Sequence, residues 1–579
     1  MKKILLTLAT AATILPAFGA ARQTQYAALD LSNVISNGLF CGNMFAADIN
    51  NDGYMELVVK GRDLNSGWAT TIKALYLDEQ NHTTFDKAVD LPDPNGQSWE
   101  RILYPIDYNN DGNIDLIYAS SWGAKLMKGD GKGNFEEVPD FALEGEINIE
   151  AGDGKSDKEK WYTGTLVVAD FNRDGYNDIV TFCGNPRDDQ GTPVVFFNDN
   201  GTGKFIKDEN TGILPQRGGT LCVGDYNADG AMDILVNGWA DDFGNDCTRI
   251  WKNDGTGKFT AVVVGDKAGT EVGNCIFVDL TGNGLLDVFI TGTSCPNSWE
   301  NAAYVYKNNG DDTFTKIEAG LSGCQKGSAD WCDLNGDGTI DLVYAGEGLN
   351  NAVYAFNEGN ETFTAVTDKL GKHRGGAVTF VYDINNNNRP DILLMGYQDG
   401  DNGKHFEIYN GLGSRVDNKA PNAPTNLTAT ADGNKTVLTW DAGSDEKATM
   451  GTGATPADAL RYNYFVKTTD GQIITAVPAD IETGKLRQSN VDAASTARKV
   501  TLNIASDKIA SWGVQSIDGA KAASAFAVAG TSGIENVLTE ADANAPVEYF
   551  NIQGVRVANP QNGLYIRRQG NKVDKIYLK

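Results

Sequence analysis

A nine-residue acidic pattern occurs seven times in this chain and constrains its fold more than any other feature. In the clearest copy, Asp333, Asn335, Asp337 and Asp341 place a carboxylate or amide oxygen at positions 1, 3, 5 and 9, and Gly338 follows position 5. Oxygens at this spacing, together with the backbone carbonyl of position 7, can surround one hard divalent cation, and the glycine permits the sharp turn. The pattern therefore predicts a cation-binding loop, with calcium as the expected ion.

The copies begin 50 to 63 residues apart, and a period of this length indicates a repeat architecture. We number the loops 1 to 7 in chain order and predict up to seven structural calcium ions. Loops 5 and 7 are the weakest candidates, because Asn283 and Asn387 replace the carboxylate of position 5 and Asn388 replaces the glycine of loop 7. The predicted ligands, in loop order, are Asp48, Asn50, Asp52, Tyr54 and Glu56; Asp107, Asn109, Asp111, Asn113 and Asp115; Asp170, Asn172, Asp174, Tyr176 and Asp178; Asp225, Asn227, Asp229, Ala231 and Asp233; Asp279, Thr281, Asn283 and Asp287; Asp333, Asn335, Asp337, Thr339 and Asp341; and Asp383, Asn385, Asn387 and Asp391.

The flanks of the loops distinguish them from helix–loop–helix calcium sites. An EF-hand needs a bidentate Glu at position 12, where this chain has residues such as Val59, Thr181 and Tyr344. Short apolar runs precede and follow the loops, and runs of this length that end at Gly or Ser are typical of strands. Each loop is therefore predicted to be the turn of a β-hairpin.

These hairpins resemble the FG-GAP or VCBS repeats of integrin-like calcium-loop β-propellers over roughly residues 26–415. The resemblance implies an all-β chain with a seven-bladed propeller, which we assign to residues 22–415. Each blade is expected to run from an inner strand through the ion loop to a second strand, then through a variable loop, a third strand and a Gly-rich turn to an outer strand. Residues 26–31 are similar to the outer strand that the last repeat lacks, so we expect them to complete the seventh blade and remove a free sheet edge.

Six tryptophans map to the face of the predicted propeller that lies away from the ion loops. Alternate connections of an antiparallel sheet emerge at opposite ends, so the variable loops and the blade-to-blade connections share this face. Aromatic rings stack on sugars, which predicts glycan or protein binding there, and packing between blades is the alternative interpretation. The longest connection, residues 139–163, is expected at the same face. The six residues are Trp68, Trp99, Trp122, Trp161, Trp239 and Trp299.

The N-terminus predicts an exported protein. Lys2 and Lys3 precede an apolar run and then small residues, which is the pattern of a secretory signal peptide over residues 1–21. No other segment is apolar enough to cross a bilayer. The net charge is −28, and 19 carboxylates belong to the seven loops. A chain with this charge and no basic stripe is not expected to bind nucleic acid.

Two further modules are expected after the propeller. Prolines mark a linker at residues 416–424, and residues 425–530 resemble a fibronectin type III β-sandwich that carries an insertion at 441–460. A second linker covers residues 531–545. The tail, residues 546–579, is similar to the C-terminal sorting domains of type IX secretion substrates, and a small β module is the alternative. Sorting implies an extracellular or outer-surface location, and without sorting the protein is expected in the periplasm. We expect the protein to be a monomer.

The sequence favours binding over catalysis. His82, His373 and His405 are the three histidines, and all are expected to be solvated. The chain has no nucleophile elbow, P-loop or zinc-protease motif. We therefore predict a non-catalytic protein that binds or adheres to glycans or proteins. The alternative is a carbohydrate-active enzyme, a polysaccharide lyase or hydrolase, that uses the face opposite the calcium loops.

The eight cysteines permit too many pairings for any disulfide to be assigned. Cys222, Cys275 and Cys332 fit small buried residues in strands. Cys247 and Cys324 are predicted in loops, where a disulfide and a free thiol are both open, and the same holds for Cys295.

Overall fold

The computed structural model describes most of the chain between residues 26 and 578. Among the described residues the secondary structure is β, apart from one 3₁₀ helix at Ser506–Lys508. Within the described residues no helix is long and apolar enough to cross a membrane. The predicted signal peptide lies outside them. The described residues are 26–28, 31, 34, 40–63, 69–80, 82, 84–93, 102–120, 123–144, 162–185, 190–208, 210–214, 216–240, 245–265, 269–295, 300–397, 405–411, 417–447, 451–530, 547–551, 556–557, 560–561, 563–569 and 572–578.

Seven sheets account for the described strands up to residue 411, and we call them together the sheet ring. The first strand of the chain, β1 (Tyr26–Ala28), belongs to the last of these sheets. In sheet order the other strands are β2 (Phe40–Ala47), β3 (Glu56–Asp63), β4 (Ala69–Leu77) and β5 (Phe85–Asp90); β6 (Ile102–Ile106), β7 (Asp115–Ser120), β8 (Gly123–Gly129) and β9 (Phe135–Glu137); β10 (Ala142–Glu144), β11 (Tyr162–Ala169), β12 (Asp178–Asn185), β13 (Gln190–Asn198) and β14 (Lys204–Lys207); β15 (Gln216–Gly224), β16 (Asp233–Ala240), β17 (Asn245–Asn253) and β18 (Phe259–Val263); β19 (Gly269–Val278), β20 (Asp287–Cys295), β21 (Asn301–Asn308) and β22 (Phe314–Ile317); β23 (Gln325–Cys332), β24 (Asp341–Glu347), β25 (Val353–Asn357) and β26 (Phe363–Val366); and β27 (Arg374–Tyr382), β28 (Asp391–Tyr397) and β29 (His405–Gly411).

The sheets close into a ring through their first strands, which we call the inner strands. Each inner strand contacts the inner strand of the next sheet, and β27 of the last sheet contacts β2 of the first. Side chains tie neighbouring inner strands together. Asn43 Nδ2 donates to the carbonyl of Leu103 over 2.7 Å, and Asp330 Oδ2 accepts the amide of Val381 over 2.7 Å. These bonds use backbone groups that the free edge of each inner strand would otherwise leave unpaired.

The first and last strands of the ring belong to one sheet, as the sequence predicts. β1 pairs antiparallel with β29, and Tyr26 lies opposite Gly411. A different addition occurs in the third sheet, where β10 pairs parallel with β14 and adds a fifth strand. This strand comes from the connection over residues 139–163, so part of that predicted loop is a strand.

Apolar side chains of adjacent sheets pack face to face and form the core of the ring. Between the first two sheets, for example, Phe45, Val58 and Ile72 pack with Leu103 and Tyr118. Successive side chains of a strand point to opposite faces, so an uninterrupted apolar run such as Leu57–Val59 supplies both faces of such a sheet with core residues. Similar clusters lie between the other neighbouring sheets.

Most inner strands are irregular at the end far from the ion loops. Six of the seven have a register shift there, all except β6. Glycine is required at several of these bulges, because a Cβ at Gly42, Gly273 or Gly327 would lie 1.6 to 1.8 Å from a carbonyl oxygen of the facing strand. β-Bulges of this kind re-aim side chains and are frequent beside binding sites.

Two more sheets follow the ring in the same compact unit, Met1–Val528, and we call them the two-sheet module. Tyr462, Phe465, Trp440 and Trp512 are buried in this module. The remaining unit, Ala529–Lys579, contains a three-stranded antiparallel sheet. The strands are β30 (Thr425–Asp432), β31 (Lys435–Asp441) and β34 (Lys499–Leu502) in one sheet of the module, β32 (Arg461–Thr468), β33 (Ile473–Thr475), β35 (Ile509–Ile517) and β36 (Ala527–Gly530) in the other, and β37 (Val547–Phe550), β38 (Gly563–Gln569) and β39 (Lys572–Leu578) in the last unit.

Candidate metal loops and the module docked on them

All seven predicted loops lie among the described residues, and each joins the inner strand of a sheet to its second strand. Two positions of each loop are left-handed. The first is position 4, as at Asn51 (φ 60°), and the second is position 6, as at Gly53 (φ 84°). Glycine and asparagine adopt this conformation at the lowest cost. Loop 7 keeps it with Asn388 (φ 62°), so the missing glycine does not change the turn.

Loop 6 shows the hydrogen bonds that shape these turns. Asp333 accepts the amides of Gly336 (2.7 Å) and Gly338 (2.9 Å), and Asp337 accepts the amide of Thr339 (2.9 Å). Asp341, at position 9, accepts the amide of Leu334 over 2.9 Å. The carboxylates therefore face inward around the turn, because their own loop amides hold them there.

The carboxylates at position 9 of each loop, and those at position 1 of most loops, are buried. The position-9 aspartates of loops 2 to 7 are fully buried, and Glu56 of loop 1 is 3% exposed. Burial, reinforced by neighbouring carboxylates, raises the pKa of Glu56 to about 9 and that of Asp107 to about 7. Asp107 also has one buried oxygen, Oδ1, without a hydrogen-bond partner among the described residues. Such groups favour a compensating positive charge.

The oxygen-rich composition of the loops fits a hard cation such as calcium. Positions 1, 5 and 9 would supply carboxylates, position 3 an amide oxygen and position 7 a backbone carbonyl. In the structure, however, Asn50 directs its amide nitrogen toward Asp52 (2.9 Å) and Glu56 (3.0 Å). Across the described residues no three Asp, Glu, His or Cys side chains form a metal-holding group by themselves. A bound ion would therefore depend on the asparagines and the backbone as well as on the carboxylates.

Loops 5 and 7 lie near protein cations. The positive charge of Arg461 opposes the increase that burial causes in the pKa of Asp279. In loop 7, burial raises the pKa of Asp383 to about 6, and the charge of Arg389 lowers it. The Arg389 guanidinium also donates to Asp417 over 2.6 Å. The two loops that lack a position-5 carboxylate thus have an arginine that offsets part of their charge.

The two-sheet module and the residues leading into it contact all seven loops. The bonds reach backbone groups at the turns and, in loop 4, a predicted ligand. Because these residues lie far apart in sequence from the loops, the loop pattern alone does not predict the contact. The interactions are Lys485 Nζ to the carbonyl of Gly53, Arg487 to the carbonyl of Gly112, the Asn503 amide to the carbonyl of Arg173, Ser495 Oγ to Asp225 Oδ2, Thr496 Oγ1 to the carbonyl of Gly284, the Thr452 amide to the carbonyl of Gly336 and the Asn418 amide to the carbonyl of Asn388.

One irregular segment of the module, residues 476–498, enters the centre of the ring, and we call it the plug segment. Val491 (1% exposed) and Ala494 (0%) belong to the same apolar cluster as Met44 and Ala46 of the first inner strand. The amide of Ser489 donates to the carbonyl of Ala46 over 3.0 Å. The module is therefore packed onto the ring.

Trp331 anchors the module beside the plug segment. Its ring lies 4.7 Å from the guanidinium carbon of Arg461 and 4.8 Å from Lys521 Nζ. Lys521 is 4% exposed at its side chain and forms an ion pair with Asp330 over 2.9 Å. A buried cation against an aromatic face is stabilised by the ring quadrupole, and the ion pair supplies its charge partner.

None of the six tryptophan side chains predicted for ligand binding is among the described residues. Trp68, Trp99, Trp122, Trp161 and Trp299 lie outside the described residues, as does the side chain of Trp239. Cys222, Cys275, Cys324 and Cys332 are free buried thiols. Cys247 is buried within β17, which corrects its predicted loop position.

His373 is buried rather than solvated. Its Nε2 lies 3.0 Å from Glu407 Oε2, and the Tyr409 hydroxyl donates to the same oxygen over 2.6 Å. The amide of Gly371 in turn donates to Tyr409 over 2.7 Å. These bonds hold the connection between the last two sheets against β29 of the last sheet.

Comparison with known proteins identifies the repeat. The model of the FG-GAP-like repeat matches residues 107–181, 170–236, 279–343 and 333–394. Each match begins at the first Asp of one loop. It ends in the strand that directly follows the next loop. No curated protein has a significantly similar sequence.

Solved structures with partial likeness include proteins of different activities. One is an Agrocybe aegerita lectin that recognises non-reducing terminal N-acetylglucosamine, with 19% identity over 60% of this chain and 82% of that one and a TM-score of 0.37. A fungal alcohol oxidase of the AA5 family with copper has 11% identity over 86% and 98%, with a TM-score of 0.41. A PL25 ulvan lyase has 10% identity over 64% and 93%, with a TM-score of 0.38. These likenesses carry no information on ligand or activity. The matched repeats and the closed ring of sheets make this part of the chain a β-propeller with FG-GAP-like repeats.

Proposed function

We propose that this chain is an exported calcium-binding β-propeller that binds glycans or proteins through the face opposite its ion loops. The observation that carries the proposal is the position of the two-sheet module, which together with Asn418 of the preceding linker contacts all seven loops. A partner therefore meets the other end of the ring. The register shifts at that end of the inner strands support a binding role for it.

The proposal includes a domain assignment. Residues 1–21 are the signal peptide, residues 22–415 a seven-bladed FG-GAP propeller, and residues 425–530 a fibronectin type III-like sandwich after a linker at 416–424. The linker at 531–545 then leads to a sorting module at 546–579, which directs the protein to the outside of the cell. Seven sheets in ring order and two packed sheets after them support this assignment.

Calcium has a structural role in this proposal. The buried carboxylates of each loop repel one another, and a divalent ion offsets this repulsion and fixes the hairpin. The unpartnered oxygen of Asp107 and the buried position-9 acids support the assignment. The residues at positions 1, 3, 5, 7 and 9 of each loop would hold the ion. Loops 5 and 7 would hold it most weakly.

A glycan array with the full mature chain, in calcium and after metal removal, tests the binding role. We expect retention of specific glycans, and loss of retention in Trp68→Ala and Trp122→Ala variants. Ile206→Ala is the matched control, because Ile206 is 46% exposed on β14 and its replacement should leave binding unchanged. Equal binding by all variants would contradict the assigned face.

The same panel distinguishes binding from catalysis. Mass spectrometry of the glycans after incubation reports shortened or unsaturated products. Retention without products supports the binding function. Release of products would replace it with the alternative, a carbohydrate-active enzyme on the same face.

A further inference from the structure

The contacts between the module and the loops use groups whose position depends on the loop turns. Ring carbonyls at the turns accept bonds from module atoms, as at Gly112, Arg173 and Gly336. In the opposite direction, the amides of Asp48 and Asp333 donate to module carbonyls over 2.9 Å. These two residues are the position-1 ligands predicted for loops 1 and 6. Docking and cation binding therefore involve the same short stretches of backbone.

We propose that the module docks stably only when the loops hold their cations, so that the loop face is a calcium-dependent lock on the plug segment. The inference rests on the calcium sites proposed above. Calcium release would allow the plug segment to leave the mouth of the ring, while the strands of the module stay folded. The lock would thus control whether the ring is open at one end.

The physical basis is thermodynamic linkage. Without cations, repulsion between loop carboxylates loosens the turns that present the carbonyl acceptors to the module. A ligand that stabilises the docked arrangement shifts the equilibrium toward it, and docking must raise the affinity for calcium by the same factor. Binding at several loops adds these effects, because one module contacts six of them.

Ser495 and its neighbours connect the two events without being predicted ligands themselves. Ser495 Oγ donates to Asp225 Oδ2, the position-1 carboxylate of loop 4. Thr496 Oγ1 donates to the carbonyl of Gly284 in loop 5, and the Asn503 side chain donates to the carbonyl of Asn172 in loop 3. We assign these three as positioning residues, because each orients a loop from outside.

Hydrogen exchange of the full chain measures docking directly. The amides of Thr452, Ile473, Ser489 and Asn503 donate to ring carbonyls, so their protection reports the docked state. The amides that pair β32 with β35 lie within the module and serve as internal controls. Exchange is followed in calcium and in EGTA, with native mass spectrometry of the same samples to count bound ions.

We expect calcium removal to increase exchange at the four docking amides while the β32–β35 amides keep their protection. If the ions leave and the docking amides stay protected, docking is independent of calcium and the inference is wrong. Loss of protection at both sets would mean that the module unfolds rather than undocks, and this also overturns it. If no calcium is bound at the start, the calcium part of the proposed function fails as well, so the two failures are distinguishable.

A variant series tests the reverse direction of the linkage. The triple variant Ser495→Ala, Thr496→Ala and Asn503→Ala removes docking bonds and leaves every predicted ligand in place. We expect its calcium affinity, measured by calorimetry, to be about fivefold to tenfold weaker. Ser506→Ala, at an exposed position in the 3₁₀ helix, is the matched control. Equal affinities in all three proteins would contradict the lock.

Discussion

At the residue scale, the loop acids determine how the protein responds to pH when it holds no metal. Burial raises the pKa of Glu56 to about 9, of Asp391 to about 8 and of Asp107 to about 7, whereas unfolded carboxyls titrate near pH 4. Between about pH 4 and pH 8, the folded metal-free chain therefore binds more protons than the unfolded chain. Its free energy of unfolding should fall as the pH rises from about 4 to about 8.

Urea unfolding of metal-stripped protein between pH 5 and pH 8 measures this effect. Calcium binds the deprotonated loops, so saturating calcium should stabilise the protein most at the upper end of the range. The benefit of calcium should therefore shrink toward pH 5. A metal-free protein whose stability increases steadily from pH 5 to pH 8 would contradict the assigned direction.

Loop 5 offers a gain-of-binding prediction at a single residue. Asn283→Asp restores the position-5 carboxylate, and a further negative oxygen ligand should tighten calcium binding at this loop by about tenfold. Asn360→Asp adds the same charge at an exposed turn and is the matched control. Calorimetry on both variants gives the comparison. A change of similar size in the control would show that net charge, and not the loop, is responsible.

At the element scale, the sequence predicts the hairpins well because their determinants are local. The alternating oxygens, the left-handed positions and the flanking apolar runs all lie within about 15 residues of one another, a span on which turn and strand preferences act. The pairing of β1 with β29 is an exception that similarity between repeats made predictable. Ser495 and Asp225, by contrast, meet across 270 residues, and no local pattern identifies such a contact.

The prediction errors have similar physical causes. His373 has charged neighbours in sequence, which suggested solvation, although its ring is turned toward Glu407. Cys247 lies in a polar stretch that resembles a loop, but pairing with β16 makes it a strand.

Trp331 lies at the interface between the ring and the two-sheet module, where its substitution tests the packing. Trp331→Ala removes the ring between Arg461 and Lys521 and leaves a cavity, so we expect a loss of about 3–5 kcal/mol in the free energy of unfolding. Trp331→Phe keeps an aromatic face and should lose less. Denaturant unfolding of the three proteins provides the values. A larger loss for Phe than for Ala would contradict the role given to the ring.

At the scale of the whole molecule, the seven loops and the module form one cooperative face, so metal removal should affect the stability of the entire unit. We count the five loops that have a position-5 carboxylate. At a calcium concentration well above their dissociation constants, these five sites should together raise the melting temperature by about 10 °C. Differential scanning calorimetry in calcium and in EGTA, at equal ionic strength, measures the shift. Melting curves that coincide would rule out structural calcium.

The shared sheet of β1 and β29 also has a consequence for the order in which the molecule can be completed. A chain that emerges N-terminus first presents β1 long before its partner strand exists, so every shorter nascent chain has an open edge on this strand. Unpaired edges invite pairing with other chains. The edge of β1 can therefore be covered only after synthesis has passed Gly411, when β29 is available to pair with it. Closure of the ring is thus a late step in folding.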